Sequence, residues 1–459
     1  MVTNKRASGE KYRAPYAPLD VEGYPVAPAD LELEQVHVYV RHGERTPVSV
    51  RMSGAPANIP EHWLMCKEAR RFRAAVADTL PTSSELYVKR ISERPNGTAI
   101  DGECLLGELT DLGRISTYNY GRALRKLYIE RLGFLSDTLG RPNDVYFRST
   151  NMPRTVESLQ QIIHGLYPMT KCDEGIVHEV RVRNGREENL VGNTLSCKRL
   201  EALLVNFAHA AVSAYNPTLE ALDRKVSKYI NGNPIRLDGV PRASGVLDTV
   251  RAAMAHGVKV PPEFEERGVT GTIVSPAVEK AVVNEWFADK TEEVRRLGMG
   301  RLLSDLSRKM HLKTMEHANS PEAERTPKIL VHSTHDTALA GLANTLDAFD
   351  DRWPAFTASI TFELFRRSSK VGPQTPSIGM QWIHAIVSSL HRFRPVCHGN
   401  SRFADIRARY QNRNLVLPLC ADEGKHLSGS PEFCTLEAFT ERVNELTPKN
   451  WDEECSVGS

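Results

Sequence analysis

Three short apolar runs, each ending abruptly in arginine, histidine or aspartate, constrain this chain more than any other feature. Val36-His37-Val38-Tyr39-Val40 runs into Arg41-His42-Gly43-Glu44-Arg45. Asp144-Val145-Tyr146-Phe147 runs into Arg148-Ser149-Thr150-Asn151-Met152-Pro153-Arg154, and Ile329-Leu330-Val331 runs into His332-Ser333-Thr334-His335-Asp336. Runs of this length, bounded by polar residues, predict buried strands. Charged groups collected at their carboxyl ends lie where open α/β sheets build their sites. A histidine between two arginines at such an end suits a phosphate: the strand fixes the ring, Gly43 allows close backbone approach, and the guanidiniums offer planar forks.

A chain of 459 residues can build a large core and a second lobe, and 41% hydrophobic with 25% charged residues fits a globular protein. A net charge of +2 implies no polyanion, so no nucleic-acid partner is expected. No run of 18 apolar residues occurs, so no membrane span is expected. The opening Met1–Glu10 lacks the apolar core of a secretory signal, which favours an intracellular location unless this terminus is processed or truncated. The eight cysteines include no Cys-x-x-Cys pair, so no zinc cluster is expected. Cys420 and Cys434 flank a Gly/Ser/His-rich loop and are either bridged or, in a reducing compartment, thiols. The sequence leaves the oligomeric state open.

Residues 1–33 read as an irregular lead-in, rich in Pro, Ala and charge. Residues 61–80 carry helical periodicity. A capped helix is expected from Thr110 to near Gly133, and another from about Met152, with Pro153 in its first turn, to Gly165. Helical patterns follow at 198–215, 218–229, 245–256 and 279–315. Strands are expected at 328–333, 358–365 and 403–419. The division expected is an α/β catalytic domain of 34–171 and 326–459, interrupted by a mainly helical cap over 172–325.

These motifs, with Leu109-Thr110-Asp111-Leu112-Gly113, Gly165-Leu166-Tyr167-Pro168, Ser359-Ile360-Thr361-Phe362-Glu363-Leu364, Pro418-Leu419-Cys420…Phe433-Cys434 and Trp451-x-x-x-Cys455, make the chain resemble the histidine acid phosphatases. That family is the Arg-His-Gly-x-Arg branch of the phosphoglycerate mutase-like superfamily, and the fungal-type enzymes are the nearest pattern. The resemblance implies an α/β fold, a central mixed sheet flanked by helices with an inserted helical cap. It implies hydrolysis of phosphate monoesters without metal or other cofactor. His42 would be the nucleophile, forming a phosphohistidine, and Asp336 the general acid. Arg41, Arg45, Arg154 and His335 would hold the phosphoryl oxygens. The small-molecule substrate is left broad: lysophospholipids, sugar phosphates and inositol phosphates all fit. The resemblance also pairs Cys455 with Cys197 and makes Arg148 structural.

Three residues from His335 on an extended strand, His332 should face the opposite side, in the core or behind the site. Glu44 should face solvent or sit behind the site rather than act in catalysis. His62, His164 and His178 read as structural. Three rivals stand beside the phosphatase: a metal-dependent phosphohydrolase using His332, His335 and Asp336, a phosphoglycerate mutase-like phosphotransferase, and an inactive homologue that binds phosphorylated ligands.

Overall fold

The computed structural model describes residues 18–68, 71–74, 86–265, 274–287, 291–316, 325–368 and 404–457. Its strands are β1 (Leu31–Arg41), β2 (Arg71–Ala74), β3 (Leu86–Lys89), β4 (Val145–Ser149), β5 (Val180–Arg181), β6 (Ile329–Thr334), β7 (Ser359–Arg367), β8 (Ala404–Tyr410), β9 (Arg413–Leu415), β10 (His426–Leu427) and β11 (Ser430–Thr435). All but β2 and β3 join one mixed sheet, ordered β10-β11-β8-β7-β1-β6-β4-β5, with β9 beside β8. The expected mixed sheet flanked by helices is therefore present.

β1 lies at the junction of the two halves, parallel to β6 and antiparallel to β7. Residues 35–41 of β1 are buried on both faces, which is why the run reads as continuously apolar rather than alternating. Register sets Arg41 opposite Thr334, and Ser149 of β4 opposite Ser333. The carboxyl ends of three parallel strands are thus level, and the three charged segments begin side by side.

One face of the sheet is covered by helices Asp111–Arg125 and Pro153–Leu166. These approach closely because Gly121 and Gly165 meet backbone where a Cβ would come within 2.2 Å of Ile162 O and 2.3 Å of Tyr118 O. The opposite core joins Tyr39, Ile360 and Phe362 to Leu302, Leu303, Leu306 and Met310 of helix Arg301–Thr314, and to helices Asp336–Thr345 and Leu436–Leu446. A third core joins Met52, Ile59 and Trp63 of the segment after β1 to the helices between Ala211 and Val282. Helix Arg301–Thr314, inside the range expected as a cap, packs on the sheet.

Thr110 caps its helix by accepting from the Gly113 amide at 3.2 Å. That helix continues through a π-helical stretch, Lys126–Arg131, and stops at Gly133, where φ is +59°. Pro153 occupies the first turn of the next helix, as expected. The helix expected over 61–80 is not formed at 61–68 or 71–74. Cys66 donates to Gly102 and Cys104 donates to Trp63 through the backbone, a disulfide joins Cys66 to Cys104, and Arg71–Ala74 pairs with β3. Residues 69–70 and 75–80 of that expectation lie outside the described residues, as do residues 1–17 of the lead-in. The pattern at 218–229 is helical in short pieces, the end of Lys198–Leu219 followed by Glu220–Leu222, Asp223–Val226 and Ser227–Tyr229. The last pattern becomes Val274–Phe287 and then Glu292–Arg295, which passes through a π-helical stretch, Arg296–Gly300, into Arg301–Thr314. The 403–419 strand is two strands followed by a 3-10 turn at Pro418–Cys420.

Cys197–Cys455 and Cys420–Cys434 are bridged, and Cys66–Cys104 is a third disulfide without a sequence expectation. Among the described residues no helix is long and apolar enough to cross a membrane.

Candidate active site

At the end of β1 the backbone of His42 is held from both sides: its amide donates to Thr334 O (3.0 Å) and its carbonyl accepts from the Thr357 amide (3.2 Å). Its ring is 1% exposed, and Nδ1 lies 2.9 Å from the carbonyl of Gly43. A carbonyl can only accept, so Nδ1 carries the proton and Nε2 is bare. Burial first, then Arg41, Arg154, Arg45 and His335, push this imidazole well below its usual range, so it stays neutral in mildly acidic solution.

Arg41 is anchored by three contacts. Nη1 donates to Pro354 O at 2.7 Å, Nη2 meets Asp336 Oδ2 at 2.6 Å, and the guanidinium lies 4.1 Å from the Phe356 ring centre. Arg45 donates from Nη1 to Thr46 O (3.0 Å) and from Nη2 to Asp248 Oδ1 (2.8 Å). Arg154, in the first turn of its helix, has no carboxylate within ion-pair distance among the described residues. The Nε atoms of Arg41, Arg45 and Arg154 are buried without a protein partner. Buried donors of this kind favour an anion that supplies acceptors.

His335 caps helix Asp336–Thr345, and its ring centre stands 5.6 Å from that of His42. Its Nε2 is 3.0 Å from Thr150 Oγ1, which in turn lies 2.8 Å from Thr155 Oγ1. Burial, then Arg154, hold its pKa down to about 4 despite the neighbouring Asp336. Asp336 accepts from Trp353 Nε1 (2.9 Å) and from the Thr337 amide (2.9 Å) besides Arg41. Burial alone would raise this carboxyl, but Arg41, Arg45, Trp353 and His335 hold it at about 2.

All six expected residues (Arg41, His42, Arg45, Arg154, His335 and Asp336) therefore meet at one place. Arg148 does not join them: it is ion-paired with Glu188, facing Asp305 at 3.9 Å. His332 points away, stacked on Tyr39 at 4.5 Å, so His332, His335 and Asp336 do not converge as a metal triad. Glu44 is buried and accepts from Ser116 behind the site, so it does not face solvent. At Gly43 a Cβ would come within 2.4 Å of Gly113 O, so this glycine lets the loop seat against the helix beginning at Asp111.

Four contributors were missed. Thr150 lay within a quoted motif, and its hydroxyl beside Arg148 was the available signal. Asp248 lies in the expected helical stretch 245–256 but carried no site signal, and Trp353 and Phe356 come from a stretch with no local pattern.

Residues 32–387 match the family model described as the histidine phosphatase superfamily (branch 2). Over 451 residues the chain is 33% identical to a probable acid phosphatase of Schizosaccharomyces pombe, covering 93% of this chain and 95% of that protein. It is 28% identical over 342 residues to lysophosphatidic acid phosphatase type 6 of Mus musculus, covering 73% of this chain and 76% of that one. Among solved structures, Hafnia alvei phytase in complex with myo-inositol hexakis sulphate aligns with a TM-score of 0.57 at 14% identity, covering 94% of this chain and all of that one.

Proposed function

The chain belongs to the histidine phosphatase superfamily, branch 2, and is a phosphoric monoester hydrolase; from that premise we propose that it works through a phosphohistidine on His42. The observation that carries this reading is a buried imidazole with a bare Nε2, facing guanidiniums whose Nε donors lack protein partners. Nε2 attacks phosphorus, the P–O bond to the alcohol breaks, and water later hydrolyses the P–N bond. Arg41, Arg45, Arg154 and His335 hold the equatorial oxygens, each contact contributing roughly 2–4 kcal/mol where charge develops in the transition state.

Asp336 protonates the leaving oxygen, and its low pKa sets where that proton comes from. A phosphate monoester loses its second proton near about pH 6, so below that it arrives carrying one. Its oxygens then engage Arg41 and Arg45, offsetting the charge that keeps Asp336 ionised, and the carboxyl takes up the proton on binding. Activity should therefore peak on the acid side. Trp353 positions the carboxyl. The helices between Ala211 and Val282, with the segment after Pro47, form the cover over the site.

Release of p-nitrophenol from p-nitrophenyl phosphate between about pH 3 and pH 8, with EDTA present, tests the reading in wild type and His42→Ala. Metal-independent activity that rises toward acid and drops at least about 10⁴-fold in the variant is expected. Activity that EDTA removes, or that survives in His42→Ala, would overturn it.

Three disulfides persist in oxidising surroundings, and we read them as favouring such a compartment over the intracellular expectation. Titration of native protein with a thiol reagent decides: eight reactive thiols after denaturation without reductant would reverse that reading.

A further inference from the structure

Arginines around the mouth of the site already face carboxylates, with Arg154 the exception among the described residues. Asp248, on helix Ala243–Ala255, meets Arg45 Nη2 at 2.8 Å through Oδ1. Through Oδ2 it accepts from the Val48 amide at 3.1 Å, with Arg51 Nη1 4.0 Å away. Nearly one turn on, Arg251 meets Glu279 at 2.8 Å and the Trp353 carbonyl at 3.3 Å.

The placement of Asp248 is built in. Its carboxylate is 17% exposed and held by three groups from the segment after β1. Room for Arg51 beside it depends on Gly245, where a Cβ would come within 2.5 Å of Arg51 Nε. One phosphoryl group that engages the spare donors of Arg41, Arg45 and Arg154 uses those that gather around His42, while Arg51 is turned to Asp248 at 4.0 Å. A second phosphate on the neighbouring carbon would meet the Asp248 carboxylate, and like charges placed together reject a ligand strongly.

We infer that Asp248 is a specificity-determining residue that confines the site to esters with one phosphate beside uncharged groups and turns away ligands phosphorylated on adjacent carbons. The inference rests on Arg45 and Arg154 binding the scissile phosphate, as proposed above. It deepens that reading by naming the substrate class: monophosphates of uncharged alcohols.

Steady-state kinetics on wild type and Asp248→Asn, with p-nitrophenyl phosphate and myo-inositol hexakisphosphate, test it. Losing the carboxylate frees Arg45 for either substrate, so that shared change cancels in the ratio of the two kcat/KM values. Wild type should favour the monophosphate, and Asp248→Asn should narrow the ratio about tenfold or more, through a lower KM for the hexakisphosphate. Asp248→Ser should move the ratio in the same direction and serves as the readout if the Asn variant folds poorly. A ratio unchanged in the folded variants overturns the inference, as does a wild type that prefers the hexakisphosphate. Failure of the underlying reading would look different: p-nitrophenyl phosphate hydrolysis would persist in His42→Ala.

Discussion

Two clusters of buried arginines in this molecule have opposite bookkeeping. In the sheet, Arg407 and Arg409 of β8 converge on Glu363 of β7. Its carboxylate accepts from both guanidiniums at 2.7–3.1 Å and from the hydroxyls of Tyr24 (3.1 Å) and Tyr128 (2.8 Å). Burial would raise this carboxyl, but Arg409 and Arg407 hold it at about 2. At the carboxyl ends of β1, β4 and β6, Arg41, Arg45 and Arg154 keep Nε donors without protein partners, and Arg154 makes no ion pair among the described residues. A buried guanidinium is therefore not itself the mark of a site. What distinguishes the second cluster is convergence: several donors without protein partners gather around one buried histidine.

The comparison breaks most visibly through its carboxylates. Glu363→Ala would strand two fully buried arginines, so urea unfolding should show a loss of about 3–5 kcal/mol, while activity per folded molecule stays unchanged. Arg154→Ala should do the reverse: stability within about 1 kcal/mol of wild type, with kcat/KM down about 10²–10³-fold. Inorganic phosphate should also raise the melting temperature of this variant less than it raises that of wild type. Equal stability losses in the two variants would dissolve the distinction.

Asp336→Asn sharpens the role of the one carboxylate inside the site. Turnover of p-nitrophenyl phosphate should fall by about tenfold or less, and that of an alkyl phosphate by about 10²-fold or more, because only the poor leaving group needs the proton. Equal losses for both esters would remove Asp336 as the acid.

Stability against pH tests the same burial without a mutation. His335 has a folded pKa of about 4 against an unfolded value near about 6.5, so below 6.5 the unfolded chain takes up a proton that the fold refuses. Stability should fall on acidification, with a slope of about 1.4 kcal/mol per pH unit from this group until pH nears 4. Glu363 and Asp336 are likewise held below the ordinary carboxylate range, so their contributions add in the same direction, present above the unfolded carboxylate range and lost as pH drops toward 2. A urea midpoint independent of pH between about 7 and 4.5 would contradict the shift assigned to His335.

The strand ends were legible because a buried parallel strand leaves a local trace, an apolar run stopped by charge, and each of the six expected residues sits on or just beyond such a stop. Thr110 and Pro153 likewise announce their helices through capping chemistry confined to a few residues. Asp248, Trp353 and Phe356 left no trace, because each reaches the site by tertiary packing: Asp248 from a helix whose periodicity concerns another core, Trp353 and Phe356 from an irregular stretch. The helix expected over 61–80 and absent at 61–68 belongs to the same class: the periodicity is real, but backbone bonds to Gly102 and Cys104 and the Cys66–Cys104 bridge override it there. Gly43 carries a close backbone approach to Gly113 that no local pattern announces.

Rapid mixing with a radiolabelled phosphate monoester, followed by an alkaline quench and peptide mapping, tests the central claim most directly. Label on His42, stable to alkali and lost in acid, should form at least as fast as turnover and be absent from His42→Ala. Full turnover with no protein-bound label, or label on another residue, would contradict a phosphohistidine at His42.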